Sequence, residues 1–534
     1  MLLSLFVLLI LLGSHLLRVQ RKQNDQRPFS EKFNRKIEQL LEHFSIPGLA
    51  ISVVQDDEIL ASGYGLSDIE TSQAVSEHTL FFGGSTTKAF TAAAVSLLVD
   101  DNHHYPNIQW TTPVHSIIPE DFTMIDPWYT AHVTVTDMLS HRSGLPRHDW
   151  LLLTNLTQQE IVQRIRYLPL TAEIRTKFQY SNLMYITAAH MIESVSGHSL
   201  PSFLTERIWA PLNMSETYLS LTDAQRAGRN ISQGYYLDIN GKLVSTQHVS
   251  MRNSRGAGNI LSSVADYAKW ISTLLRRGPP LSEAAYRTLF GAHSIAAREP
   301  VPPFVSPTLF GMGWVAQTYR GETVIQHAGS QYGFGSLVVL LPKRKLGVVI
   351  MGNNMRGTNA AADIIAFDII DDVLDTPRDE RFDWRRRADE RLAADTLTND
   401  TFRRLYPVLP DPPQPYPLNL SAYEGVYVHA AYPNLTISSD CSETAGGTFY
   451  ENGTGAKLCA FLVEPGDYFP KPLSLEMYHV RGNSWVLVIT IAGAMSAARV
   501  EFRFDADGHR VSHMGAEVES AMARIGEKIW WAHI

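Results

Sequence analysis

The sequence predicts an α+β protein: an antiparallel sheet flanked by helices, followed by a small antiparallel β-barrel or sandwich. Two β-rich runs in LAISVVQDDEILASGYG predict a hairpin near the N-terminal end. Three more β-rich runs lie between Val324 and Asn353, after a mostly helical insert. Short alternating runs continue from Leu418 onward. Because strands from both ends of the first region must share one sheet, helices are expected to layer on that sheet.

The composition is that of an ordinary globular protein. The chain has 534 residues, of which 45% are hydrophobic and 19% charged, and its net charge is -8. This balance, without a basic patch, argues against nucleic acid as a partner. Two cysteines cannot hold a zinc ribbon or an iron-sulfur cluster, so neither a metal site nor a cofactor is predicted. No obligate protein partner is evident.

The first residues predict a targeting segment. The apolar run from Leu2 to Leu12 suits the core of a signal peptide better than a full membrane span. Residues 1–22 are therefore predicted to be a signal peptide, or alternatively an uncleaved membrane anchor, because no clear cleavage site follows.

Further features favour a secreted glycoprotein. Seven N-x-S/T sequons lie at Asn155, Asn213, Asn230, Asn399, Asn419, Asn434 and Asn452. Cys441 and Cys459 lie in one Gly- and Ser-rich stretch. A disulfide between them is predicted, and the alternative is two free thiols.

The apolar spacing predicts the helices. Residues 33 to 44 place apolar side chains on one helical face, and Ile46-Pro47-Gly48 ends that helix. Other helices are predicted for Ser85 to Asp100, Thr134 to Leu139, Leu183 to Ser196 and Ala360 to Leu374. Gly197 is expected to form a left-handed cap.

The composition changes after residue 375. Residues 30–375 are predicted to be the larger unit. Residues 376–417 are charged and Pro-rich, and predict a linker that begins with a solvated helix and continues as extended chain. Residues 418–534 predict the β-rich unit.

Ser85 and Lys88 form an S-x-x-K pattern at the start of a predicted helix, where their side chains lie one turn apart. The N–H groups of a helix N-terminus stabilise the oxyanion formed when a serine attacks a carbonyl. A lysine among apolar side chains has a lowered pKa and helps to activate that serine. The alternative is a helix cap followed by a lysine that reaches solvent.

Two further patterns are weak singly. Y-S-N at Tyr180 enters a predicted helix, whereas three other Y-x-N matches contain Pro or lie in the cysteine loop. H-A-G at His327 lies in a predicted strand, although lone histidines are more often structural than catalytic. The combination of S-x-x-K, Y-S-N about 95 residues later and H-A-G about 145 residues further is far more specific.

Residues 33–375 resemble the serine β-lactamase and penicillin-binding-protein superfamily. The resemblance rests on the three motifs and on the stretches GLAISVVQDDEILASGYG, VTVTDMLSHRSGL and FQYSNLMYITAAHMIESVSG. The pattern is closest to class C β-lactamases and the related D-peptidases, esterases and acyltransferases. The resemblance implies a β-lactamase-like sheet flanked by helices. YEGVY at Tyr423 is similar to the start of the lipocalin-like domain that some members carry.

The resemblance also implies residue roles. Ser85 would be the nucleophile, Lys88 its proton partner and Tyr180 the general base. The substrate-binding residues would be Asn182, His327, Gly329 and Ser330, with the N–H groups of Ser85 and Ser330 forming the oxyanion hole. His327 stands where the lactamases usually have a lysine, whose charge would bind the carboxylate of a β-lactam. Lactamase activity is therefore less expected than esterase, amidase or acyl-transfer activity. Gly329 would let the substrate approach the strand.

The implied function is that of a serine hydrolase. It would act through a covalent acyl-enzyme on a small-molecule ester, amide or peptide, without a cofactor. One alternative is an acyltransferase or cyclising enzyme of a biosynthetic pathway. Another is an inactive member of the family that uses the same cleft only for binding.

Overall fold

The computed structural model describes residues 28–238, 240–248, 251–394, 403–408, 412, 414–442, 454–463, 473–491 and 494–534. The predicted signal peptide or anchor and the sequons at Asn399 and Asn452 lie outside these residues. Within the described ranges, no helix combines the length and apolar character that a membrane span requires.

An antiparallel sheet of nine strands organises the first part of the chain. The strands are β1 (Gly48–Gln55), β2 (Glu58–Asp68), β3 (Gln73–Ala74), β8 (Ser294–Ala297), β9 (Thr308–Phe310), β10 (Val315–Tyr319), β11 (Glu322–Gln331), β12 (Phe334–Leu341) and β13 (Leu346–Gly352). Their order in the sheet is β3-β2-β1-β13-β12-β11-β10-β9-β8. The N-terminal hairpin joins the last strand, with Leu49 opposite Gly352. The predicted α+β class is therefore confirmed.

Two small strand pairs lie beside this sheet. β4 (Phe81–Gly84) pairs with β7 (Ile260–Ser262), and β5 (Tyr235–Leu237) pairs with β6 (Leu243–Ser245). The pair of β4 and β7 matters for the site, because the chain leaves β4 directly before Ser85.

Helices cover both faces of the sheet, and one further short helix lies between two strands of the C-terminal part of the chain. The helices of the described residues are α1 (Glu31–His43), α2 (Thr87–Asp100), α3 (Val114–Ile117), α4 (Pro127–His132), α5 (Val135–Leu139), α6 (Gln158–Arg164), α7 (Asn182–Ser196), α8 (Leu200–Leu204), α9 (Leu221–Arg226), α10 (Arg255–Gly258), α11 (Val264–Arg276), α12 (Glu283–Phe290), α13 (Met355–Val373), α14 (Trp384–Ala394) and, in the C-terminal part, α15 (Ser520–Ala523). On one face, α1 and α13 share an apolar core with the sheet through Ile37, Ile364 and Ile350.

Helices α2 and α7 lie in the interior of the helical layer. Every residue of α2 from Thr87 to Leu98 is buried, and alanines supply much of its surface. A helix that is apolar on all sides is buried on all sides. Its first turn therefore carries Lys88 into the core. The helix α7 ends at Gly197, whose φ of 71° forms the predicted left-handed cap.

The charged segment after residue 375 packs more closely than the sequence suggested. Its helix, α14, buries Trp384 and Ala388. The Trp384 ring stacks on Phe367 of α13 with ring centroids 4.2 Å apart. The expectation of a solvated helix is therefore wrong for the face of α14 that carries Trp384. The large apolar ring packs on α13, although the many arginines around it made the segment look solvent-exposed in the sequence.

The last part of the chain forms a closed antiparallel barrel of eight strands. They are β14 (Gly425–Val428), β15 (Leu435–Ser438), β16 (Lys457–Leu462), β17 (Leu473–Arg481), β18 (Ser484–Ile491), β19 (Ala494–Phe504), β20 (Val511–Ala516) and β21 (Ile529–His533). Pairing of β14 with β21 closes the barrel, which decides between the two predicted forms. Cys441 and Cys459 form the predicted disulfide, with Cα atoms 5.5 Å apart.

Candidate active site

Ser85 lies in a tight turn between β4 and α2. Gly84 has a φ of 51°, and the Thr86 hydroxyl donates a hydrogen bond to the Gly83 carbonyl at 2.9 Å. The helix begins at Thr87, two residues later than the sequence predicted, because this turn occupies the intervening positions. Lys88 then projects back, and its Nζ donates to Ser85 Oγ at 3.1 Å.

Lys88 Nζ lies within hydrogen-bond distance of three oxygen atoms. Besides Ser85 Oγ, its Nζ donates to Asn182 Oδ1 at 2.8 Å and to the Ala257 carbonyl at 2.6 Å. Lys88 is fully buried, and this burial holds its pKa well below the usual value. The positive charge of Arg147 lowers the pKa of Lys88 further, whereas the carboxylate of Asp149 raises it.

Tyr180 completes the contacts of Ser85. Its hydroxyl donates to Ser85 Oγ at 2.8 Å. Burial raises the pKa of this phenol, which favours the protonated form. The guanidinium of Arg147 lies 5.0 Å from the centre of the Tyr180 ring. Lys88 Nζ lies 4.8 Å from the same ring centre.

A charged pair that the sequence analysis did not single out lies behind Asn182. Asn182 Nδ2 donates to Asp149 Oδ1 at 2.9 Å, and Arg147 Nε donates to Asp149 Oδ2 at 2.7 Å. The oxygen of the same amide accepts from Lys88, so Asp149 fixes which way the amide faces. The only sequence signal was the run R-H-D directly after S-G-L-P.

The turn that carries Arg147 and Asp149 is anchored to the barrel through His148. His148 has a φ of 48°. Its backbone N–H donates to Glu519 Oε2 at 2.7 Å, its Nδ1 lies 2.7 Å from the Tyr432 hydroxyl, and its Nε2 lies 2.9 Å from a carbonyl. Burial lowers the pKa of His148, which favours its neutral form. Nε2 then donates to the carbonyl of Pro169, and Nδ1 accepts from Tyr432.

The predicted residues of β11 divide between its two faces. Ser330 is exposed, whereas His327 and Gly329 are buried. Burial, with a contribution from Lys88, lowers the pKa of His327 to about 3, so this imidazole is neutral. A Cβ at position 329 would lie 1.9 Å from the Gly83 carbonyl oxygen. Glycine is therefore required for the close approach of β11 to β4, and the approach of a substrate to Gly329 stays a prediction.

A cavity of about 320 Å³ opens beside Ser85. Asp149, Asn182, Ser254, Ser330 and Gln331 contribute polar groups to its lining, and much of the remaining wall is apolar. Ser330 and Asn182 thus reach the same space as Ser85. His327, Gly329, Lys88 and Tyr180 are not among the lining residues.

A second cavity, of about 510 Å³, lies between α1, α13 and α14. Charged side chains line it, and several are paired with one another, including Lys36 with Asp368 at 2.7 Å and Arg381 with Asp368 at 3.3 Å. Ser85 is not part of this cavity. Within the described part of the chain, no group of three or more His, Cys, Asp or Glu side chains could hold a metal ion.

The family model of the β-lactamases matches residues 33–369. The chain belongs to the β-lactamase family. Among family members, two proteins named unguisins hydrolase, from Aspergillus campestris and Aspergillus violaceofuscus, are 35% and 34% identical to it. The matches cover 96% and 94% of this chain, and 93% and 92% of those relatives. Protein flp of Staphylococcus aureus is 25% identical over 62% of this chain and 64% of its own length.

Solved structures of β-lactamase-like proteins share the fold. The octameric penicillin-binding protein homologue from Pyrococcus abyssi has a TM-score of 0.59 and 20% identity, and the match covers 91% of this chain and 97% of that one. A class C β-lactamase from Rhodobacter sphaeroides has a TM-score of 0.51 and 20% identity, with coverage of 63% and 98%. The β-lactamase-like architecture predicted from the motifs is confirmed.

Proposed function

We propose that this protein is a serine hydrolase that forms a covalent acyl-enzyme at Ser85. The observation that carries the proposal is the pair of contacts at Ser85 Oγ, 3.1 Å from Lys88 Nζ and 2.8 Å from the Tyr180 hydroxyl, at the wall of a cavity. A serine hydroxyl is a weak nucleophile until an adjacent base takes its proton. Membership of a family with relatives named hydrolases supports this activity.

We propose that Lys88, rather than Tyr180, takes the proton from Ser85. A neutral lysine has two N–H groups and one lone pair. The Asn182 and Ala257 oxygens accept the two N–H groups, and Ser85, the third neighbour, is a hydroxyl able to donate to the lone pair. The lowered pKa of Lys88 favours this neutral form. The raised pKa of Tyr180 disfavours a phenolate. This revises the role that the family resemblance implied for Tyr180.

In the proposed reaction, Ser85 Oγ forms a bond to the substrate carbonyl carbon as its proton passes to Lys88. The N–H groups of Ser85 and Ser330 stabilise the oxyanion, a contribution worth about 3 to 4 kcal/mol per donor where removal has been measured. The bond to the alcohol or amine then breaks, and Tyr180 gives that leaving group a proton and recovers one from Lys88. Water releases the acyl group by the reverse sequence of proton transfers.

The substrate class remains an ester or amide, and the relatives suggest where to begin. The compounds in the name unguisins hydrolase are the first to test, because those relatives align over nearly the whole of this chain. Transfer of the acyl group to another acceptor is the competing activity. Product analysis with an added amine or alcohol separates the two: the proposal expects the free acid, whereas capture of the acyl group indicates transfer.

We further propose that the protein enters the secretory pathway. The disulfide between Cys441 and Cys459 is of the kind that persists in oxidising compartments. The described sequon residues Asn155, Asn213, Asn419 and Asn434 are exposed, and Asn230 is half-buried. All five are proposed glycosylation sites, and digestion with an endoglycosidase should lower the mass of the secreted protein.

The activity is tested by reaction with a fluorophosphonate, which modifies activated serines. The intact mass should increase by one adduct in the parent protein and in the control Ser116→Ala, an exposed serine of α3. Ser85→Ala should gain no adduct. Equal labelling of Ser85→Ala and the parent would remove Ser85 from this role.

A further inference from the structure

The cavity beside Ser85 has an apolar wall that the proposed reaction does not explain. Trp150, Leu152, Leu153, Met251, Met355 and Ile491 all contribute to it. Leu152 and Leu153 follow Asp149 in the same short turn and are almost completely buried, at 9% and 7% exposure. The cavity therefore offers a substrate a large apolar contact surface in addition to its polar groups.

The barrel builds part of the wall. Ile491 is the last residue of β18 and lines the cavity directly. Trp150 is backed by Trp531 of β21, with ring centroids 6.1 Å apart. Trp531 is fully buried and is fixed by a hydrogen bond from its Nε1 to the Pro433 carbonyl at 2.9 Å. The wall is therefore shaped jointly by the barrel and by the turn that follows S-G-L-P.

Among its described lining residues, the cavity has no cationic side chain that could pair with a negatively charged substrate group. Among the described residues that line it, Asp149 alone carries a charge. One oxygen of Asp149 accepts a hydrogen bond from Asn182, and the other accepts one from Arg147. The Arg147 guanidinium is therefore itself paired with Asp149. His327, where related lactamases carry a lysine, is buried and neutral. A carboxylate placed here would lose its hydration and face Asp149 without a cation.

We propose that this wall binds the acyl group, that the enzyme selects bulky, apolar and uncharged acyl groups, and that Ile491 of the barrel is a specificity-determining residue. The assignment to the acyl side follows from the lining: Asn182 and Ser330 reach the cavity, whereas Tyr180, the proposed proton donor to the leaving group, does not. This inference rests on the proposed function.

The test compares 4-nitrophenyl esters that differ only in the acyl group. Acetyl and hexanoyl esters vary the apolar length, while adipoyl and 6-aminohexanoyl esters place a negative or a positive charge at the end of a similar chain. Each buried methylene adds about 0.8 kcal/mol, so kcat/KM should favour hexanoyl over acetyl by about tenfold or more. Both charged esters should fall at least about tenfold below hexanoyl.

Variants locate this preference in the wall. Ile491→Ala should reduce the hexanoyl to acetyl ratio several-fold, and Ile491→Glu should reduce it further and disfavour the adipoyl ester most. Ile525→Ala changes the same residue type at a site in the barrel region that is 60% exposed and does not line the cavity. Its ratios should equal those of the parent.

Fluorophosphonate labelling of the same samples separates the two proposals. A parent that is not labelled at Ser85 contradicts the proposed function itself. A parent that is labelled at Ser85, yet shows no preference for hexanoyl or hydrolyses none of the esters, contradicts the acyl pocket. If Ile491→Glu retains the parent ratios while it is labelled normally, the role of Ile491 is overturned.

Discussion

Two neighbouring side chains, Lys88 and Tyr180, have their protonation set by the same burial in opposite senses. Removal from water disfavours a charge of either sign, so the amine tends to be neutral and the phenol tends to keep its proton. Both touch Ser85 Oγ. In the proposed mechanism, Lys88 and Tyr180 thus supply a base and an acid on the two sides of one nucleophile, and no carboxylate acts as base.

Substitution of each side chain should separate the two roles in the reaction with a fluorophosphonate. Fluoride leaves without needing a proton, so Tyr180→Phe should be labelled at a rate within about tenfold of the parent. Lys88→Met removes the proposed base, so its labelling rate should fall at least about a hundredfold. The measurement is the rate of adduct formation by intact mass. A reversed order would return the base role to Tyr180.

The pH dependence tests the charges around Lys88. The groups that act on the Lys88 pKa are Arg147, which lowers it, and Asp149, which raises it, while His141 and His327 have lowered pKa values and are neutral. Asp149→Asn removes the charge that stabilises the ammonium, so the pKa of Lys88 should fall. Labelling should then begin at a lower pH than in the parent.

An alternative result for Asp149→Asn has a clear meaning. If Asp149 only orients Asn182, the labelling rate of the variant should fall at every pH, and labelling should begin at the same pH as in the parent. If labelling of the variant begins at a higher pH than in the parent, the proposed charge state of Lys88 is contradicted. The amide of the variant can still accept from Asn182, which keeps the packing comparable.

At the scale of elements, the site depends on how closely β4 and β11 approach each other. Gly83 and Gly329 come together beneath the turn that carries Ser85, and Ser336 Oγ donates to the same Gly83 carbonyl at 2.8 Å. Gly84, at a φ of 51°, lies against the Ser330 backbone. These contacts fix the proposed oxyanion donors of Ser85 and Ser330 relative to each other.

Gly329→Ala should therefore damage both stability and the site. The added Cβ would lie 1.9 Å from the Gly83 oxygen, so the strands must separate, at a cost of about 1–3 kcal/mol. Thermal unfolding and labelling of Ser85 measure the two effects. The control Gly278→Ala places a Cβ no closer than 3.9 Å to its nearest neighbour and should unfold like the parent. Equal behaviour of the two variants would contradict this packing argument.

At the scale of the whole molecule, the barrel contributes to the site through two routes, the apolar wall and the anchored turn. Glu519 holds the His148 backbone from the barrel side, and the next residue, Asp149, orients Asn182. The contact between Glu519 and His148 thus influences the position of Asn182, which contacts Lys88.

Loss of this anchor should affect catalysis as well as stability. Glu519→Ala leaves the buried His148 N–H unpaired, at a cost of about 1–3 kcal/mol. We expect kcat to fall about tenfold with a smaller change in KM, because the turn positions Asn182 and does not exclude substrate. Glu519→Gln retains an acceptor oxygen and should restore most of the loss. Kinetics with the hexanoyl ester check this, and a normal kcat in Glu519→Ala would contradict the coupling.

The sequence predicted those parts of the molecule that depend on local pattern. Helix α7, its Gly197 cap, the hairpin and the strands between Val324 and Asn353 all follow from spacing and turn residues. The meeting of Ser85 with Tyr180 followed from the combination of motifs with a family resemblance, since neither motif was specific alone.

Features that arise from distant contacts were beyond the reach of local pattern. The hydrogen bond between Asp149 and Asn182 spans 33 positions, and that between His148 and Glu519 spans 371. The close contact of Gly329 with the carbonyl of Gly83 requires glycine at position 329, and no spacing rule indicates this contact. The packing of Trp384 on α13 was not predicted, because the arginines around it are typical of a solvent-exposed helix.

The most direct test of the acyl-enzyme is to trap it. The protein is mixed with the hexanoyl ester, quenched in acid within the first turnovers, digested and mapped by mass spectrometry. The account predicts one hexanoyl group, on the peptide that contains Ser85. A hexanoyl group attached to any other residue, or a burst of product equal to the enzyme concentration with no acylated peptide, would contradict it.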